Sequence, residues 1–137
     1  MVFDTVIFAY ALLGVTLFRE EAASALQKAK EIWVPDLMKA ELTNVVWQSI
    51  RHKKTEKEEG LRALKDAEAL ITETVKTNQL WEYALELAVE KNHPAYDTLF
   101  IALAAARNTK VITFDRKMCR TFPELTISPA DFLKKRS

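Results

Sequence analysis

Four carboxylates of this chain stand where an apolar segment meets a turn or a helix. Asp4 ends the run MVFD, and Asp115 follows KVITF. Asp97 opens the apolar stretch TLFIALAAA, and Glu41 lies between Ala40 and Leu42. Singly, each has an ordinary explanation, because acids near helix starts cap amides and suit the dipole, and Glu41 could be a solvated helix residue. An acid flush against apolar sequence, however, requires a partner or a cation. Gathered in one pocket, the four could not all stay ionised unaided. Two carboxylates ~4 Å apart repel by roughly 4 kcal/mol at an effective dielectric near 20. A hard divalent cation relieves that repulsion, and an all-oxygen ligand set points to Mg²⁺ or Mn²⁺. Zinc is disfavoured, since the nitrogen and sulfur candidates His52, His93 and Cys119 show no ligand spacing. A metal held by acids suits phosphodiester hydrolysis, in which the ion activates a water and offsets charge on the leaving oxygen.

The elements that must position these acids follow from the apolar pattern. Short apolar runs at 1–4, 32–35, 110–114 and 125–128 read as strands, and ETVKT at 73–77 is a further candidate strand. Helical segments fall at 5–14, 20–30, 36–54, 55–75, 78–92, 93–108, 115–122 and 129–135. Asp4 or Thr5 is expected to cap the first helix, Asp36 the third, and Thr55 with Glu58 has the capping-box form for the fourth. Leu37, Ala40, Val45 and Val46 carry the apolar spacing of the third helix, and Pro94 is placed in the first turn of the sixth. Strands alternating with helices predict an α/β fold with a parallel sheet. Ligands of such sheets bind beyond the carboxyl ends of the strands. Asp4 and Asp115 belong at that edge, Glu41 leans toward it, and the helix opening at Asp97 must start there because it feeds the strand 110–114.

Composition bounds the possibilities. The 137 residues, 49% hydrophobic and 28% charged, predict one domain, 1–137, with a core of its own. A net charge of +1 gives no electrostatic footprint of a nucleic-acid binder, and the clusters RHKK (51–54) and KKR (134–136) read as a solvated helix end and tail. His52 falls at that helix end and His93 at a helix entry. One cysteine forms no internal disulfide, so the chain reads as cytoplasmic. The run VIFAYALLGVTLF is shorter than the ~20 residues of a bilayer span, and Asp4 precedes it in place of a basic signal-peptide region. With 2 Gly there is no phosphate loop, nucleophile elbow or dinucleotide fingerprint. The run after Asp4 lacks the second acid of a dehalogenase-type phosphatase, and the paired acids of a receiver module are missing too.

The stretches FDT (3–5), VPDLMKAEL (34–42), YDTLFIALA (96–104) and VITFDR (111–116) together resemble the PIN-domain family, most of all its small VapC-type toxins. The resemblance covers essentially the whole chain and implies a three-layer fold with a five-stranded parallel sheet flanked by helices. It further implies a metal-dependent endoribonuclease with Asp4, Glu41, Asp97 and Asp115 as its acids, an RNA substrate, a cognate antitoxin and a homodimer. Thr113 and Thr5 match the family's hydroxyl residues, which would orient the acids. Asn44, about a turn beyond Glu41, shares its face or is simply solvated, and Arg116 is a candidate phosphate contact or a surface arginine. The chain departs from members that carry a further acid after the last one, since Arg116, Lys117 and Met118 follow Asp115. An RNA-processing nuclease outside a toxin system and a non-catalytic PIN-fold binding module are the alternatives.

Overall fold

In a computed structural model, which describes residues 1–13 and 17–135, five very short strands form one all-parallel sheet. They are β1 (Val2–Phe3), β2 (Trp33–Pro35), β3 (Glu73–Val75), β4 (Val111–Ile112) and β5 (Thr126–Ile127). Their order is β3-β2-β1-β4-β5. Val2 pairs with both Trp33 and Val111, so β1 is central. The chain builds outward from β1 through β2 to β3, then returns to the other side of β1 with β4. The point where the order reverses therefore lies between β1 and β4, the place where open α/β sheets form their ligand crevice.

Eight α-helices connect and flank these strands among the described residues: α1 (Thr5–Leu12), α2 (Arg19–Lys28), α3 (Leu37–Arg51), α4 (Lys57–Leu70), α5 (Trp81–Lys91), α6 (Ala95–Ala106), α7 (Arg116–Thr121) and α8 (Pro129–Lys134). α6 is the structural axle. Every residue from Thr98 to Ala104 is buried, as expected of a helix that is apolar all round. It packs against β1, β2, β4 and α5, and the Thr98 hydroxyl donates to the Ala84 carbonyl of α5 at 2.7 Å. Phe3, Phe8, Phe100, Ile101, Leu103 and Ile112 are among the large, fully buried side chains of the core.

Several local expectations are corrected. The capping box of α4 is Glu56 with Glu59, one residue beyond Thr55 and Glu58. Thr55 is buried and its hydroxyl pairs with that of Ser49. Asp36 stands at the N-cap of α3 without capping it, because its carboxylate takes the hydroxyl of Thr77. The buried stripe of α3 is Met38, Leu42 and Val46, whereas Ala40 is exposed and Leu37 and Val45 are half-buried. The 55–75 segment splits, since Ile71 turns extended and frees 73–75 to pair with β2. Pro94 is the N-cap of α6, in extended backbone just ahead of the first turn. Asp4 caps α1, accepting the Thr5 amide at 2.8 Å. Gly14, the expected end of that helix, and Arg136 of the basic tail lie outside the described residues. No described helix is long and apolar enough to cross a membrane.

Candidate active site

The first acid is fixed by the middle strand. Asp4 follows β1 directly, and its amide donates to the Ile112 carbonyl at 3.0 Å, so the sheet ladder aims it over the β1–β4 edge. Its carboxylate is held twice: the Thr5 amide donates to Oδ1, and the Thr113 hydroxyl donates to Oδ2 at 2.7 Å. Glu41 sits one turn into α3, which leaves the sheet at the carboxyl end of β2. The Thr5 hydroxyl donates to Glu41 Oε1 at 2.7 Å, so Thr5 ties the first strand's helix to the second acid. Asp97 lies in the first turn of α6. Its Oδ2 is 2.9 Å from Nε2 of His93, one turn earlier. Asp115 lies past β4 and caps α7, with Oδ1 accepting the Met118 amide at 3.0 Å. Its own amide donates to Thr113 Oγ1 at 3.0 Å. Thr113 is thus a hub: one hydroxyl accepts from the fourth acid's backbone and donates to the first acid's side chain.

Electrostatics brings three of the four together. Burial pushes the Asp4 carboxyl up from 3.8 to about 6; the Thr113 bond opposes that rise, while the Asp97 and Glu41 charges add to it. Burial also raises Glu41, with the Thr5 bond opposing and Asp97 adding. Asp4 and Glu41 therefore stand where desolvation, with the like charge of Asp97 acting on both, disfavours their ionised forms. Asp115 shares the edge through Thr113, but it is exposed and engaged as a cap. Among the described residues no three His, Cys, Asp or Glu side chains stand together closely enough to hold a metal ion as placed. Instead, each of the four acids is held by a hydrogen bond from a donor on the chain. The set is all-oxygen and mutually repelling, which fits a hard divalent cation better than a soft one. Perturbed acids in such a crevice are a recognised mark of function.

The other sequence candidates fall differently. Asn44 is exposed and bonds none of the acids among the described residues, and Arg116 is exposed beside Asp115 at the start of α7. His52 is an exposed helix end, as expected. His93 is the residue that sequence reasoning undervalued. It is 5% exposed, its ring meets Phe122 edge-on at 5.5 Å, and its Nδ1 has no hydrogen-bond partner among the described residues. With a carboxylate opposite, Nε2 carries the proton and donates to Asp97. The i, i+4 spacing of His93 and Asp97 was the available signal.

Comparison with known proteins decides the family. The model of the PIN domain matches residues 1–122. The chain belongs to the PIN-domain family. Among curated proteins, Ribonuclease VapC3 of Pyrobaculum aerophilum is 28% identical over 112 residues, spanning 77% of this chain and 82% of that protein. Among solved structures, PAE2754 of Pyrobaculum aerophilum superposes with a TM-score of 0.75 at 19% identity, over 96% of this chain and 85% of the other. A toxin–antitoxin complex from Klebsiella pneumoniae gives 0.68 at 19% identity, over 93% and 96%. At those identities the structural likeness establishes the PIN-like fold: five parallel strands flanked by helices.

Proposed function

We propose that this chain, as a single domain over 1–137, is a metal-dependent endoribonuclease acting in the cytoplasm as the toxin of a toxin–antitoxin pair. The observation that carries the reading is that Asp4 stands at the β1–β4 switch point, where burial, with the charges of Glu41 and Asp97 acting on it, raises its carboxyl, and that Glu41 is raised by burial and by Asp97 in turn. The curated relative's name, a VapC ribonuclease, supports RNA as substrate, and the Klebsiella pneumoniae complex supports an antitoxin as partner. A homodimer, as in the resemblance above, belongs to the same proposal.

In this reading Asp4, Glu41 and Asp97 hold Mg²⁺ or Mn²⁺, and Asp115 adds the oxygen that the Met118 amide leaves free. When bound, the ion supplies a lowered water pKa and positive charge opposite the leaving oxygen. The chain's own residues supply the rest. Thr113 and Thr5 fix the carboxylate orientations of Asp4 and Glu41 by donating to them. Glu41, half-buried, would alternatively position a water at the edge rather than hold the ion. Arg116, exposed at the start of α7, would contact a phosphate of a bound strand, and Asn44, exposed on α3, is left solvated. The test is incubation of the purified chain with cellular RNA, with Mg²⁺ and with a chelator. Internal cleavage with Mg²⁺ alone is expected; RNA left whole under both conditions, or cut equally in both, overturns the reading.

A further inference from the structure

We propose that a cleft beside the acids binds one unpaired base of the RNA strand and an adjacent phosphate. This proposal rests on the ribonuclease reading and names a subsite for its substrate. The cleft encloses about 690 Å³ and is lined by Tyr10, Phe18, Thr113, Phe114, Arg116 and Arg120, a size in the ligand-binding range. Three of these rings pack as one wall. Tyr10 and Phe18 stack at 5.9 Å and 16°, Tyr10 and Phe114 meet at 5.3 Å, and Phe18 and Phe114 at 5.1 Å. They come from α1, from the turn just before α2 and from the loop between β4 and α7, and none is a fully buried core ring. Phe18 remains 41% exposed at the rim.

The cleft connects to the acids through one lining residue, Thr113, although none of the four acids lines it. Phe114 lies between Thr113 and Asp115, and Thr113 is the residue whose hydroxyl donates to Asp4. A base seated on the aromatic wall would thus lie next to the segment 113–115 that carries Thr113 and Asp115. Arg116 and Arg120 sit one turn apart on α7, both exposed and outside any ion pair among the described residues. Glu21 is the single acid on the same lining. An aromatic face takes any base by stacking, and a guanidinium takes phosphate by its planar fork. An unpaired base is required, because a base inside a duplex has no free face to offer. A wall of rings alone would suit an apolar peptide equally well; the two arginines and the continuity with Asp4 favour a nucleotide.

The experiment uses the full chain without metal, so that RNA stays whole, and a fluorescein-labelled single-stranded oligoribonucleotide of eight nucleotides. Phe18→Ala is expected to weaken binding about tenfold, the loss of one stacked base. Arg116→Gln with Arg120→Gln is expected to lower the salt dependence by about one logarithmic unit per decade. Oligonucleotides carrying a single abasic site locate the contact: at one position the wild type should fall to the Phe18→Ala level, and the variant should lose nothing more. If Phe18→Ala lowers the thermal midpoint, Phe18→Trp must restore binding. Wild-type affinity in Phe18→Ala, or additive losses at every abasic position, overturns the cleft, as does a wild type that binds no RNA. So does Phe18→Ala losing a protein partner while binding RNA normally. RNA bound through Phe18 but left uncut when Mg²⁺ is restored supports the cleft and refutes the nuclease reading separately.

Discussion

Asp4→Asn should stabilise the metal-free protein at neutral pH. The substitution keeps the shape of the side chain and removes one charge from a crowded, buried edge. The folded state raises Asp4 from 3.8 to about 6, which corresponds to about 3 kcal/mol of cost for holding it ionised. The sign follows from proton binding. Between those two values the folded state binds more protons than the unfolded chain, so stability falls as pH rises through the window and the full penalty applies above about 6. An asparagine avoids that penalty but must reorganise one bond: its oxygen can accept the Thr5 amide, whereas Thr113 must then turn its hydroxyl, at about 1 kcal/mol. A net gain of roughly 1–2 kcal/mol remains, or about 3–6 °C in thermal midpoint for a chain of this size. The assay is thermal unfolding of both proteins in chelator at pH 8 and pH 4. The gain should appear at pH 8 and vanish at pH 4, where Asp4 is itself neutral. A variant that is less stable than wild type at pH 8, or equally shifted at both pH values, refutes the account of a strained acid edge.

Three further outcomes are expected. Thr113→Val removes the donor to Asp4 Oδ2, so Asp4 should titrate above its present value of about 6, and Mg²⁺ affinity at pH 7 should fall about tenfold, recovering in part at pH 8 by calorimetric titration. His93→Phe keeps a ring against Phe122 but loses the Nε2 donor to Asp97. Its thermal midpoint without metal should change little while Mn²⁺ affinity drops about tenfold; unchanged affinity would make His93 a packing residue only. Gly60→Ala should destabilise α4 against α3 although alanine is the better helix former. The added Cβ would lie 2.7 Å from Val46 Cγ1 and 2.9 Å from Ile50 Cδ1, and overpacking of ~1–3 kcal/mol exceeds the ~1 kcal/mol propensity gain; denaturant unfolding reads the difference.

How much of this was legible in the sequence depended on whether a feature was local. The strands are two or three residues long, yet β1, β4 and β5 were readable because they are buried in the parallel sheet, whereas β3, with Glu73 exposed, carries no apolar run. α6 was readable for the same reason, as a helix with no polar side. The placement of Asp4, Glu41, Asp97 and Asp115 followed from the direction rules of parallel units. What was not legible depended on partners distant in sequence. Thr77 drew Asp36 away from its cap, and Ser49 took Thr55 out of its capping box. The α3 face was misread because Ala40 looked apolar while Met38 faced the core. His93 had the right spacing to Asp97, but its burial depends on the left-handed turn at Asn92 and on Phe122 arriving from α7. The aromatic cleft joins Tyr10, Phe18 and Phe114, which nothing local connects.

The central claim is that the acids meeting at the β1–β4 edge are the groups that make RNA cleavage metal-dependent. The most direct measurement compares cleavage of single-stranded RNA by the wild type and by Asp97→Asn, each folded by the same thermal criterion, in Mg²⁺ and in chelator. The account predicts Mg²⁺-dependent cleavage by the wild type and a fall of at least about a hundredfold in the variant, the scale of losing a group that acts at the reacting centre. Equal rates in the two proteins would contradict it.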